Sequence, residues 1–112
     1  MQEATKKLCD ALQQTAEYQD YIRCKAEIDQ DSGIQALVKE YKRLQMTVQM
    51  RMLSGQGTDD ADSRRFQQLS ALLFADQRTA GYLLSEMRMQ QMMGSIFEQI
   101  TRAAGMDMPV PV

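Results

Sequence analysis

The segment that most limits what this chain can become is IQALVKEYKRLQMTVQMRML, Ile34 to Leu53, held between Asp31-Ser32-Gly33 and Ser54-Gly55-Gln56-Gly57. Its apolar residues Ile34, Leu37, Tyr41, Leu44 and Val48 advance by alternating steps of three and four, the spacing of one helix face with coiled-coil-like packing. Val38 and Met52 widen that stripe. Helical geometry places Met46, Met50 and Leu53 on the opposite side, where the earlier turns carry Lys39, Lys42 and Arg43. The first half of this helix is therefore one-sided, and the second half is apolar on two sides. Twenty residues of helix run about 30 Å. A helix built this way packs on its own chain along one face and needs a further cover near its end.

The flanking segments carry the same period. Residues 2 to 14 set Ala4, Leu8, Ala11 and Leu12 on one face. Thr15 is the expected cap of a second helix from Ala16 to about Gln30, with Glu17 in its first turn and Tyr18, Tyr21, Ile22 and Ile28 along its stripe. Asp31 is the expected N-cap of the long helix, and Gly55 its C′ residue. Thr58, followed by Asp59 and Asp60, reads as the next helix start. Phe66, Leu69, Leu72 and Leu73 line that helix, and Asp76 marks a break, although without a proline one continuous helix is also compatible. The last helix, about Gln77 to Ala104, aligns Tyr82, Met89, Met93, Ile96, Ile100 and Ala103, with Leu83, Leu84 and Met87 outside that face. Gly105 closes it, and MDMPVPV follows as a tail in which proline forbids more helix. No alternating strand pattern persists outside these stripes. The expectation is an all-α chain of four to five helices, a long antiparallel hairpin or bundle. One domain covers 1–105, and a flexible tail covers 106–112.

Composition narrows function mostly by exclusion. A net charge of −2 with no basic block argues against binding nucleic acid directly. No apolar run is long enough to span a membrane, and the opening MQEATKKL is no signal peptide, so the cytoplasm is the expected compartment. The chain has no histidine, so the usual general base and the Ser/His and Cys/His nucleophile pairs are missing. The pairs Asp59/Asp60 and Asp29/Asp31 read as helix starts and charged loop rather than acid–base machinery. Cys9 and Cys24 are too few and too far apart for a metal site within one chain. They read as reduced thiols on helices, with a disulfide or a cluster shared between subunits as the alternative. No cofactor, metal or catalytic residue is expected. Of the ten methionines, Met89, Met92 and Met93 read as core filler. Met46, Met50 and Met87, off the main stripes, read as contact residues, because thioethers suit adaptable helix-on-helix packing.

The order and spacing of several stretches resemble the YlbF/YmcA family of small helical bacterial proteins, from about Ala4 to Ala104. The carriers are Thr15-x-Glu17-Tyr18-x-x-Tyr21; Asp31 opening Ile34-x-x-Leu37-Val38-x-Glu40-Tyr41; Gln45, Gln49 and Gly55; Leu69 to Leu73; and Tyr82-Leu83 with Glu86. The resemblance implies an all-α, non-catalytic, self-associating protein. Family members include regulators of competence, sporulation and biofilm formation in Gram-positive bacteria. Some act in a complex with ribonuclease Y, and some bind iron–sulfur clusters. The implied partners are a ribonuclease Y complex or family siblings. The cluster-binding members carry cysteines near the C-terminus, whereas this chain ends without any, so the cofactor is not carried over.

Two functional expectations follow. In the preferred one the chain is a homo-oligomeric regulatory adaptor, a dimer or higher, joined to its copies or a partner through Met46, Met50, Leu53, Leu83, Leu84 and Met87. In the other it is a holdase-like chaperone whose Met-rich surface grips unfolded clients.

Overall fold

Asp31 illustrates how local chemistry sets the elements. In a computed structural model of the chain, which describes residues 1–57 and 60–107, its carboxylate accepts hydrogen bonds from the backbone N–H groups of Gly33 (3.0 Å) and Ile34 (3.2 Å). Those groups have no partner inside the helix they begin. The described residues form five helices: α1 (Gln2–Gln13), α2 (Ala16–Asp29), α3 (Ser32–Leu53), α4 (Ala61–Ala75) and α5 (Gln77–Ala104). The described residues contain no strand.

The expected boundaries recur with their expected chemistry. Thr15 Oγ1 accepts from the N–H of Tyr18 at 3.2 Å and opens α2. Gly55 and Gly105 take φ of +78° and +70° past the ends of α3 and α5, a backbone state that glycine enters without steric cost. Asp76 separates α4 from α5: its backbone is extended and its carboxylate accepts from the N–H of Arg78 at 2.8 Å. Asp60 departs from expectation. It is itself the N-cap of α4, accepting from the N–H of Ser63 at 2.8 Å, and Asp62 is the acid of the first turn. Thr58 and Asp59, expected to start this helix, lie outside the described residues, as do residues 108–112 of the expected tail. Asp31→Ala should cost about 0.5–2 kcal/mol of stability, the range for losing an N-cap. Urea unfolding would measure it, and Asp31→Asn, which keeps the acceptor, should restore most of the loss.

The chain divides into two units, one formed by Met1–Lys25 with Tyr82 onward and the other by Ala26–Gly81. In the second unit α3 and α4 form an antiparallel hairpin. Arg51, near the end of α3, pairs with Asp60 and with Asp62 (3.1 Å) at the start of α4. Deeper in the hairpin, the ring of Tyr41 stacks on Phe66 at 5.1 Å and meets Phe74 edge-on at 6.5 Å. Val38, Tyr41, Leu44, Leu69 and Leu73 are buried, together with Ile28 from the last turn of α2. Of the stripe expected of α3, Tyr41 and Leu44 are buried with the flanking Val38, whereas Ile34, Leu37 and Val48 are half-buried. In the first unit, α2 runs antiparallel to α5: Tyr21 stacks on Tyr82 at 5.8 Å, and Asp20 meets Arg88 at 3.6 Å. Cys24, Tyr82, Leu83 and Met89 are buried there.

Three carboxylates titrate below their usual range. Glu40 is lowered chiefly by hydrogen bonds from the Arg65 guanidinium (2.9 and 3.1 Å), Asp60 by the N–H of Ser63, and Asp76 by the N–H of Arg78. A carboxylate whose folded pKa lies below its unfolded value adds stability that is complete above the unfolded value. That stability is lost as pH falls through the folded one. Thermal melts should therefore be flat above about pH 5 and decline below about pH 4, where free carboxylates protonate. Asp76→Asn should flatten part of that decline, and a melting point that rises on acidification would contradict the assignment.

Candidate functional site

The six residues expected to mediate association fall in different surroundings. Met46, Met50 and Leu53 form a row on the second half of α3, exposed by 67%, 64% and 86% of their surfaces. Met52, expected to extend the buried stripe of α3, is exposed as well. On α5, Leu84 and Met87 are exposed, whereas Leu83 keeps only 5% of its surface in contact with water. Leu83 therefore offers no free surface. It sits beside buried Tyr82 and two residues before buried Ser85, whose hydroxyl donates to the Tyr82 carbonyl at 2.7 Å. This stretch of α5 is covered over a wider arc than one stripe predicts.

The row on α3 is apolar beside a charged residue that pairs across the hairpin. Arg51, between Met50 and Met52, points away from the row into its ion pairs with Asp60 and Asp62. A cation in the last turn of α3 and acids at the start of α4 also complement the two helix dipoles. The clasp holds the end of α3 in place while leaving the methionines outside. Sequence reading did not single out Arg51, although an arginine just before a glycine turn with two aspartates after it was a usable signal.

A second apolar surface, also not anticipated, lies in the first unit. Leu8, Cys9 and Leu12 of α1 face Met93, Ile96, Phe97 and Ile100 of α5 across a groove of about 300 Å³ whose lining is almost wholly apolar. Gly94 lies between the α5 residues and adds no side chain to the wall. Met93 and Ile100, expected on the main packing face of α5, are both about half exposed here, and α1 has no buried residue. A signal was present in the sequence: α1 carries Leu8 and Leu12 on one face, and the last turns of α5 carry Ile96 and Ile100 on one face.

Among the described residues, no group of three or more His, Cys, Asp or Glu side chains is placed to hold a metal ion. Cys24 is buried and Cys9 exposed. No helix among those residues is long and apolar enough to cross a membrane. Among known proteins, residues 1–103 match the family described as "Control of competence regulator ComK, YlbF/YmcA". The chain belongs to the YlbF/YmcA family. It is also 26% identical over 96 residues to a UPF0342 protein of Caldicellulosiruptor saccharolyticus, an alignment covering 86% of this chain and 80% of that one. No solved structure matches.

The YlbF/YmcA match runs from α1 into the last turn of α5. The residues that carried the resemblance hold architectural positions. Thr15 and Asp31 cap helices, Tyr41 is stacked in the hairpin, Gly55 ends α3, and the Tyr82 hydroxyl donates to Glu86 at 3.0 Å.

Proposed function

We propose that this YlbF/YmcA chain is a non-catalytic regulatory adaptor of the cytoplasm that works by associating with its own copies and with a protein partner. The observation that carries the reading is the row Met46, Met50 and Leu53, three large apolar side chains with most of their surface in water. Leu84 and Met87 on α5 add to the exposed surface. Contiguous exposed apolar residues mark interaction sites in soluble proteins, and methionine lets such a site fit a partner surface adaptively. The family's description, control of a competence regulator, supports a regulatory role; family siblings are the partners this role calls for.

Sedimentation equilibrium tests the self-association. The expected result is a mass that is a multiple of the 12.8 kDa chain; a single species of chain mass at every concentration would overturn it. A dye that fluoresces on apolar surface should stay dim with the native protein, because association covers the row. Bright native fluorescence with suppression of client aggregation would instead favour a holdase.

A further inference from the structure

α3 carries two seams of heptad spacing, and the one that holds Tyr41 and Leu44 packs into the hairpin. The other consists of Ala36, Lys39, Arg43, Met46, Met50 and Leu53, which advance by alternating steps of three and four, the a/d spacing with which one helix meets another. At about 100° per residue this outer seam lies opposite the buried one. All six residues are exposed, over about 26 Å of helix.

The outer seam changes character halfway. Its first half is small and basic, Ala36, Lys39 and Arg43, and its second half is the apolar row. Glu40, the one acid of α3, is committed to the Arg65 guanidinium (2.9 and 3.1 Å), with Arg43 a weaker neighbour. Arg51 is committed to Asp60 and Asp62. A second copy does not match the whole seam. Laid parallel, it sets Lys39 on Lys39 and Arg43 on Arg43; laid antiparallel, it sets those cations on Met50 and Met46, where they would lose water without gaining an acid. A membrane-surface helix carries its bases on the polar face, whereas Lys39 and Arg43 stand in line with the methionines. What satisfies both halves is a helix with an acidic end and an apolar end.

We propose that the outer seam of α3 docks an amphipathic helix of a different protein, about 18 residues long, apolar against Met46, Met50 and Leu53 and acidic against Lys39 and Arg43. This rests on the row being an association surface, as proposed above, and states the chemistry of the protein partner. A copy of the chain shares the apolar half alone.

The probe is a synthetic helical peptide of about 18 residues with leucine at the seam positions of one half and glutamate at those of the other, made in both orders, and the same peptides with lysine for glutamate. Wild type should bind a glutamate peptide about tenfold or more tighter than its lysine counterpart, the effect of exchanging two attractive pairs for two repulsive ones. Lys39→Glu combined with Arg43→Glu, both at exposed positions, should reverse that preference, which a loss of folding would abolish rather than reverse. Met50→Asp should weaken both peptides. Equal affinity of wild type for the two peptides, or the same preference in the double variant, would overturn the acidic partner; a mass lowered by Met50→Asp without peptide would still uphold association through the row. A wild type of chain mass that holds the glutamate peptide would remove self-association and uphold the docking seam. A double variant whose mass without peptide falls below that of wild type would give the basic half to a second copy, and retention on phosphatidylserine vesicles with neither peptide bound would give the face to a membrane. Either result would overturn the partner helix.

Discussion

Met50→Asp should release one contact of the assembly, lowering the sedimentation mass while leaving the helical circular dichroism signal unchanged. Met50 is exposed on α3, so the single chain loses no packing when it is replaced. In the assembly the same position would be dry. Removing a buried methionine side chain costs about 2–5 kcal/mol, equivalent to a roughly 30- to 4,000-fold weaker dissociation constant. The aspartate adds the penalty of taking a charge out of water without a partner. Met50→Leu, which keeps volume and polarity, should associate like the wild type. An unchanged mass for Met50→Asp would remove the α3 row from the interface. Loss of helicity would mean instead that Met50 supports the fold.

The second large effect concerns the same residue type in opposite surroundings. Leu69 on α4 keeps 1% of its surface exposed, and Leu53 at the end of α3 keeps 86%. Leu69→Ala should destabilise the chain by about 2–5 kcal/mol, the transfer term plus the cavity left behind. Against a total of about 5–15 kcal/mol for an ordinary domain, that is a large share of the stability. The loss should be clear in urea unfolding at fixed protein concentration. Leu53→Ala should stay within about 0.5 kcal/mol in the dissociated chain and show its effect on association only. Equal losses from the two variants, measured where the chain is dissociated, would mean that the exposure of Leu53 is filled by its own chain.

The pairing of these leucines shows where sequence reading succeeded and where it stopped. The helix ends were legible because a cap is a bond between near neighbours. Asp31 reaches two N–H groups within three residues, Asp76 reaches the N–H of Arg78, and Gly55 and Gly105 need only their own backbone freedom. The first half of the α3 stripe was legible because its period is that of the helix. Asp60 was read as a first-turn acid, although it caps α4. A run of three potential capping residues offers several equivalent starts, and the ion pairs that Asp60 and Asp62 make with Arg51 come from across the turn.

Exposure was less legible. Leu83 and Leu84 are adjacent and alike, and both fall outside the main stripe of α5; one is buried and the other is not. Met93 and Ile100 sit on the stripe and remain half in water. Periodicity gives the direction of a side chain around its own helix and carries no information about which other helix arrives there.

By itself the sequence determined that this chain is all helix, where most of its helices begin and end, and that it carries more apolar helical surface than it needs to close one hairpin. These are consequences of hydrogen bonds and side-chain spacing within a few residues. The tertiary structure alone decided which stripes are covered: the first half of α3 against α4, but neither the row ending at Leu53 nor the groove beside α1. That decision depends on contacts between segments far apart in the chain, whose energies come from the shapes that meet.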